Sequence, residues 1–183
     1  MFHPMYENVA EAAIIAMGEK RKKGGTMYPV RIGFDQALER IEGLLRNGHH
    51  AEALVTSMFT LEKLIKRSLR KAIVARGFTR DQADTILGRD GFDNLKEKWP
   101  VFERQHRTLP EILAQNWQPI PEAKKKRNDL VHGIKVYDLE DCRIMASAVL
   151  TAVRALHAYV TQDYGSDPWD TQPRPRAQLQ WIL

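Results

Sequence analysis

An all-α bundle of four or five principal helices, with short extra helices, is the fold this sequence predicts. Apolar residues recur at steps of three and four over two long segments. No stretch alternates apolar and polar residues for long enough to make a strand, and glycines, prolines and cap-forming residues fall at the segment ends. The chain has 183 residues, 43% of them hydrophobic and 28% charged. That balance supplies one core and excludes wholesale disorder.

Taken in order, Tyr6 to Gly18 reads as a short helix, broken by Glu19-Lys20-Arg21-Lys22-Lys23-Gly24-Gly25, a solvated loop. A second helix is expected from Asp35 to Arg46, with Leu38, Ile41 and Leu45 on one face and Asn47-Gly48 as its stop. The long helix from Ala51 to Arg76 carries the stripe Leu54, Met58, Leu61, Ile65, Leu69 and Ile73. At 1.5 Å per residue it spans roughly 40 Å, the length of a bundle's backbone. Thr79 and Gln82 form a capping-box pair for a short helix that ends before Gly88. Short helices are expected at Asp93 to Trp99 and Leu109 to Asn116, punctuated by Pro100 and Pro110.

Pro121 stands where a first helical position would be, and Glu122 suits the positive end of a helix. That helix should run to His132 and stop at Gly133. The last long helix starts after Asp138, with Glu140 and Asp141 in its first turn and the stripe Cys142, Met145, Val149, Val153, Leu156 and Val160. From Gly165 onward, Pro168, Pro173 and Pro175 mark an irregular tail that Trp169 or Trp181 could pin. The organisation is thus an N-terminal arm and basic loop (1–33), a bundle (34–162) and a Pro-rich tail (163–183).

Cys142 is the one cysteine, which excludes an internal disulfide framework and a Cys-rich zinc site. Its stripe should bury it, so it is no nucleophile. A reducing, cytoplasmic setting is the simplest expectation. The N-terminus shows no secretory signal, and Ile144 to Val153 is about half of the ~20 residues a membrane span needs, so no membrane is expected. His49 and His50 cannot share one helical face, and no carboxylate spacing completes a metal site. No metal and no cofactor are expected.

The net charge is +5. Its distribution says more than its sum. Lys63, Lys66, Arg67, Arg70, Lys71, Arg76 and Arg80 follow one another with no acidic residue between, and Lys124, Lys125, Lys126 and Arg127 are consecutive. Helices usually intersperse acidic i,i+4 partners, and these two do not. The bland reading is a solvated face neutralised from elsewhere in the fold. Two such stretches favour phosphate contact, with Lys63, Lys66, Arg67, Arg70, Lys124, Lys125 and Lys126 as candidate RNA-binding residues. No aromatics are interleaved with either stretch, so base stacking is unsupported and backbone electrostatics should make affinity steeply salt-dependent.

Arg127-Asn128-Asp129-Leu130-Val131-His132 carries the chemistry. Arg grips a phosphate bidentately through its planar fork. His exchanges a proton near neutral pH. Asn128, four residues before His132, lies one turn below it on the same helical face and could orient the imidazole or a phosphate oxygen. Together these can cleave RNA: a base activates the ribose 2′-hydroxyl, a cation stabilises the phosphorane and an acid protonates the leaving 5′-oxygen. Glu62, among Leu61, Leu64 and Ile65, is the residue of the long helix most suited to assist, or else a solvent-facing or ion-paired glutamate.

From about Phe34 to Val160 the sequence resembles the HEPN superfamily. These helical bundles carry an Arg, a polar residue such as Asn, Asp or His, and a His four to six residues beyond the Arg. Arg127-Asn128-x3-His132 has this form. The resemblance implies a metal-independent endoribonuclease acting as a homodimer, in which two copies of the motif face each other and form one composite site. It also implies a prokaryotic toxin or antiviral-defence effector, with a separate antitoxin or regulator protein. Some HEPN toxins carry a modified Tyr two residues after the His. Ile134 stands there in this chain, and Tyr137 is not the matching residue. Other HEPN-like domains lack the motif, so the alternative is a catalytically silent binding or adaptor module for a protein, nucleotide or nucleic acid. A helical DNA-binding protein is a third reading, weakened by the absence of a recognition-helix signature.

Overall fold

In the computed structural model, which describes residues 33–170, every regular element is helical. The elements are α1 (Phe34–Arg46), α2 (His50–Ala75), α3 (Arg80–Leu87), α4 (Phe92–Phe102), α5 (Leu109–Leu113), a 3-10 turn (Ala114–Trp117), α6 (Ile120–Val131) and α7 (Leu139–Tyr164). The all-α bundle expected from the sequence is what the described residues form. The helix expected at Tyr6 to Gly18, the basic loop after it and Trp181 lie outside them.

The bundle is organised on α2, which packs along α7 and also touches α1, α3, α4 and α6. Leu54, Met58, Leu61, Ile65, Leu69 and Ile73 are all buried, as the helical period requires. Each large apolar side chain in that stripe contributes about 1.5–3 kcal/mol by leaving water. On α7 the buried face is Cys142, Ala146, Val149, Leu150, Ala152, Val153, Leu156 and Val160. Met145 is half-buried, displaced from the expected stripe by Ala146. By length and composition α7 could cross a membrane, a test that a core helix also passes.

The ends of α2 and α7 show that the two run in the same direction. His50 Nδ1 donates to the Leu139 carbonyl (3.0 Å) where both helices start, and Arg67, in the second half of α2, donates to the Trp169 carbonyl (3.1 Å) just beyond α7. Thr79 and Gln82 form their expected capping box on α3 (2.8 and 3.2 Å), and Asp138 caps α7 through the amides of Glu140 and Asp141.

Two proline expectations need correction. Pro100 does not end α4, which continues to Phe102. So near the C-terminus the missing N–H forfeits one hydrogen bond of the last turn, and the helix tolerates it. Pro121 is the second residue of α6 and not the first, since Ile120 opens the helix after Pro119. Both positions precede the first intrahelical N–H bonds, so either suits proline. The segment expected to be one helix over Leu109 to Asn116 is the short α5 followed by the 3-10 turn.

Beyond Gly165 (φ +63) the chain folds back onto α2, where Lys71 donates to the Ser166 hydroxyl and the Asp167 carbonyl. Trp169 is buried there. His157 is half-buried. Its ring stacks on Phe34 at 3.6 Å, and its Nε2 lies 2.9 Å from Asp167.

Candidate functional site

Helix α6 places the motif. Ile120 and Ala123 face the core and fix the rotation of the helix. Lys126, only 7% exposed, follows them inward and forms ion pairs with Glu122 (3.0 Å) and Asp141 (3.2 Å). Its hydrogen bond to Glu122 outweighs burial and, with Asp141, holds the ammonium pKa above its ordinary value.

One residue on, Arg127 turns toward α2. Its guanidinium lies 4.1 Å from the centre of the Phe59 ring, a cation–π contact. Nη2 is 3.7 Å from the Glu62 carboxylate, and Nη1 donates to Asn128 Oδ1 at 2.8 Å. Nε is buried and has no hydrogen-bond partner among the described residues. Glu62 therefore meets Arg127, as an ion-paired glutamate beside the motif. Asn128 serves Arg127 through its side chain. It meets His132 only through the backbone, where the His132 amide donates to the Asn128 carbonyl (3.0 Å).

His132 caps the C-terminus of α6. Gly133 adopts φ +64, which a residue with a Cβ rarely does, and lets the chain reverse. The Ile134 amide then returns to the Asp129 carbonyl at 2.8 Å. His132 thus stands exposed at the tip of the reversal, and its imidazole makes no hydrogen bond among the described residues. The loop is tied back by Tyr137, whose hydroxyl donates to the Asp129 carboxylate (2.6 Å), a bond that raises the phenol pKa.

The expectation that the two basic stretches lack acidic partners is corrected: Glu122 is an i,i+4 partner of Lys126 on the same helix, and further partners come from other segments. Arg70 pairs with Asp84 at 2.5 Å, and Lys124 pairs with Asp93. Lys66 donates to the Gly88 carbonyl (2.7 Å), Arg67 to Trp169, and Arg76 to the Glu103 carbonyl (3.2 Å). Lys63 lies 5.3 Å over the Trp169 ring. Burial, then the nearby Arg67 charge, lowers its pKa. Lys66 and Arg67 satisfy the end of α3 and the chain after α7, and Lys126 is buried. Among the candidate RNA-contacting lysines, Lys63 and Lys125 are exposed with no ion-pair partner among the described residues, and of these Lys63 rests over Trp169.

Sequence reasoning missed Phe59. The signal was a bulky aromatic out of register with the Met58–Leu61 stripe and three residues before Glu62. Its surface is 49% exposed, and Val131, Ile134 (72%), Val136 (90%) and Leu139 add exposed apolar surface on either side of His132 in the chain. Cys142 is buried, and desolvation pushes its thiol pKa up. Among the described residues no three His, Cys, Asp or Glu side chains converge to hold a metal ion. Comparison with protein-family models, with curated proteins and with solved structures finds no match to this chain.

Proposed function

We propose that this chain is a metal-independent endoribonuclease of the HEPN type, acting as a homodimer in a prokaryotic toxin or defence system under a separate regulator protein. The observation that carries the reading is the pairing at the end of α6. Arg127 is braced by Phe59, Glu62 and Asn128, while His132 stands open to solvent at the end of the same helix.

In this reading Arg127 grips the scissile phosphate and offsets the extra negative charge of the phosphorane. His132 takes the proton of the ribose 2′-hydroxyl as O2′ bonds to phosphorus. A protonated imidazole then gives a proton to O5′ as the P–O5′ bond breaks. The products are a 2′,3′-cyclic phosphate and a 5′-hydroxyl. One imidazole per chain suits a composite site in which the second copy supplies the other proton-transfer group. The exposed Val131, Ile134, Val136 and Leu139 offer apolar surface for that contact. Single-stranded RNA incubated with the purified chain and a chelator should acquire cyclic-phosphate and 5′-hydroxyl ends; RNA left intact overturns the assignment.

A second reading is a catalytically silent adaptor. The internal partners of Lys66, Arg67 and Arg70 favour it, because they leave little free cationic surface on α2. It predicts protein or nucleotide binding that His132→Ala leaves unchanged.

A further inference from the structure

Phe59 combines three properties. It sits on the central helix, it lies against the guanidinium proposed to hold the scissile phosphate, and the residue is about half exposed to solvent. Its neighbours Met58 and Leu61 fill the core, so the position is not needed to close the bundle. A phosphate gripped by Arg127 brings the base of an adjoining nucleotide within reach of this ring.

We propose that Phe59 is a stacking platform for the nucleobase beside the scissile phosphate, so that the bond cut is one next to an unpaired, unstacked nucleotide. The inference rests on the ribonuclease reading and adds the residue that selects the substrate's conformation. A base inside a duplex has both faces covered by its neighbours and cannot use the ring, whereas a splayed base can. Stacking is tolerant of base identity because every base has a π-face, so the selection is for conformation more than for sequence. The Arg127–Phe59 cation–π contact couples the two, since the phosphate held by that guanidinium presents the base to the ring.

The test uses a short 2′-O-methyl strand containing a single ribonucleotide, so that only one bond can be cut. Two versions are made, one with the flanking base present and one abasic at that position. Wild-type chain should cut the intact strand roughly tenfold more efficiently than the abasic one, the scale of one base–aromatic stack. Phe59→Ala should cut both at the same reduced efficiency, chiefly through KM, and Phe59→Trp should restore the preference. Phe59→Leu keeps apolar bulk without the aromatic face and should behave like Phe59→Ala. Equal preference for the intact strand in wild type and Phe59→Ala overturns the inference and leaves the ribonuclease reading standing. A Phe59→Ala chain that changes solution mass while keeping that preference also overturns it, and assigns the ring to contact between copies. If wild type cuts neither this strand nor unmodified RNA, the ribonuclease reading falls and the inference with it.

Discussion

Along α2, Lys66, Arg67, Arg70 and Arg76 reach the carbonyls and carboxylate of Gly88, Trp169, Asp84 and Glu103, whereas at the end of α6 Arg127 rests on Phe59 and His132 faces solvent. Both regions are runs of positive charge in the sequence. The first ties the ends of neighbouring elements to the central helix, where exposed carbonyls at chain turns attract cations. The second divides along the helical face: Lys124 and Lys126 are paired, and Lys125 and His132 remain open. A block of like charge is therefore one feature in sequence and two kinds of feature in the fold. What separates them is which segments pack alongside.

The largest effect that would break this contrast belongs to the motif. Arg127→Ala and His132→Ala should each lower RNA cleavage by about 10²–10⁴-fold, the range for removing a proton-transfer group or a transition-state charge partner. His132→Ala should leave the melting temperature nearly unchanged, since the side chain is exposed and makes no hydrogen bond among the described residues. Cleavage rates beside thermal unfolding curves check both.

The opposite pattern is expected at Glu103, whose carbonyl accepts from Arg76 and whose carboxylate is 1% exposed. That carboxylate accepts from the Tyr159 hydroxyl and from the amides of Gln105 and Arg107 (both 2.8 Å). Glu103→Ala should cost about 3 kcal/mol in urea unfolding, because it strands three donors in the fold. Burial by itself would raise the carboxyl pKa, but the hydrogen bonds from Tyr159, Arg107 and Gln105 outweigh it and the net shift is downward. Its stabilisation is thus complete above the unfolded value, about 4.3, and is lost as pH falls through the lower folded value. Wild type should lose stability across that acid window more steeply than Glu103→Gln.

Smaller effects sharpen the comparison of the two basic regions. Lys125→Glu should weaken RNA binding and reduce the slope of log affinity against log salt by about one, the signature of a lost phosphate contact. Arg70→Ala should change stability by less than about 1 kcal/mol, as expected of a surface ion pair, and leave that slope unaltered. Filter binding across a salt series separates the two outcomes.

Much of this architecture is legible in local sequence, because helical period and end signals act over a few residues. The α2 stripe, the Thr79–Gln82 box and the Asp138 cap all follow from spacing alone. The motif could be read for the same reason, since Arg127, Asn128 and His132 share one helix and its cap. Phe59 and Glu62 meet Arg127 across more than sixty residues of chain, and Arg67 meets Trp169 102 residues further on. Those contacts depend on how α2, α6 and the chain after α7 pack, which no local pattern encodes. Pro100 shows a subtler limit: its penalty depends on how many turns remain beyond it, and here only the last residues do.

The contrast between the two regions is tested most directly by one cleavage time course in the presence of chelator. It compares wild type, His132→Ala and the Lys66→Ala/Arg70→Ala double variant on the same single-stranded RNA, with the product ends identified. The expected result is cyclic-phosphate ends from wild type and the double variant at similar rates, and none from His132→Ala. Cleavage that survives in His132→Ala but disappears in the double variant would place the working site on α2 and contradict the assignment to α6.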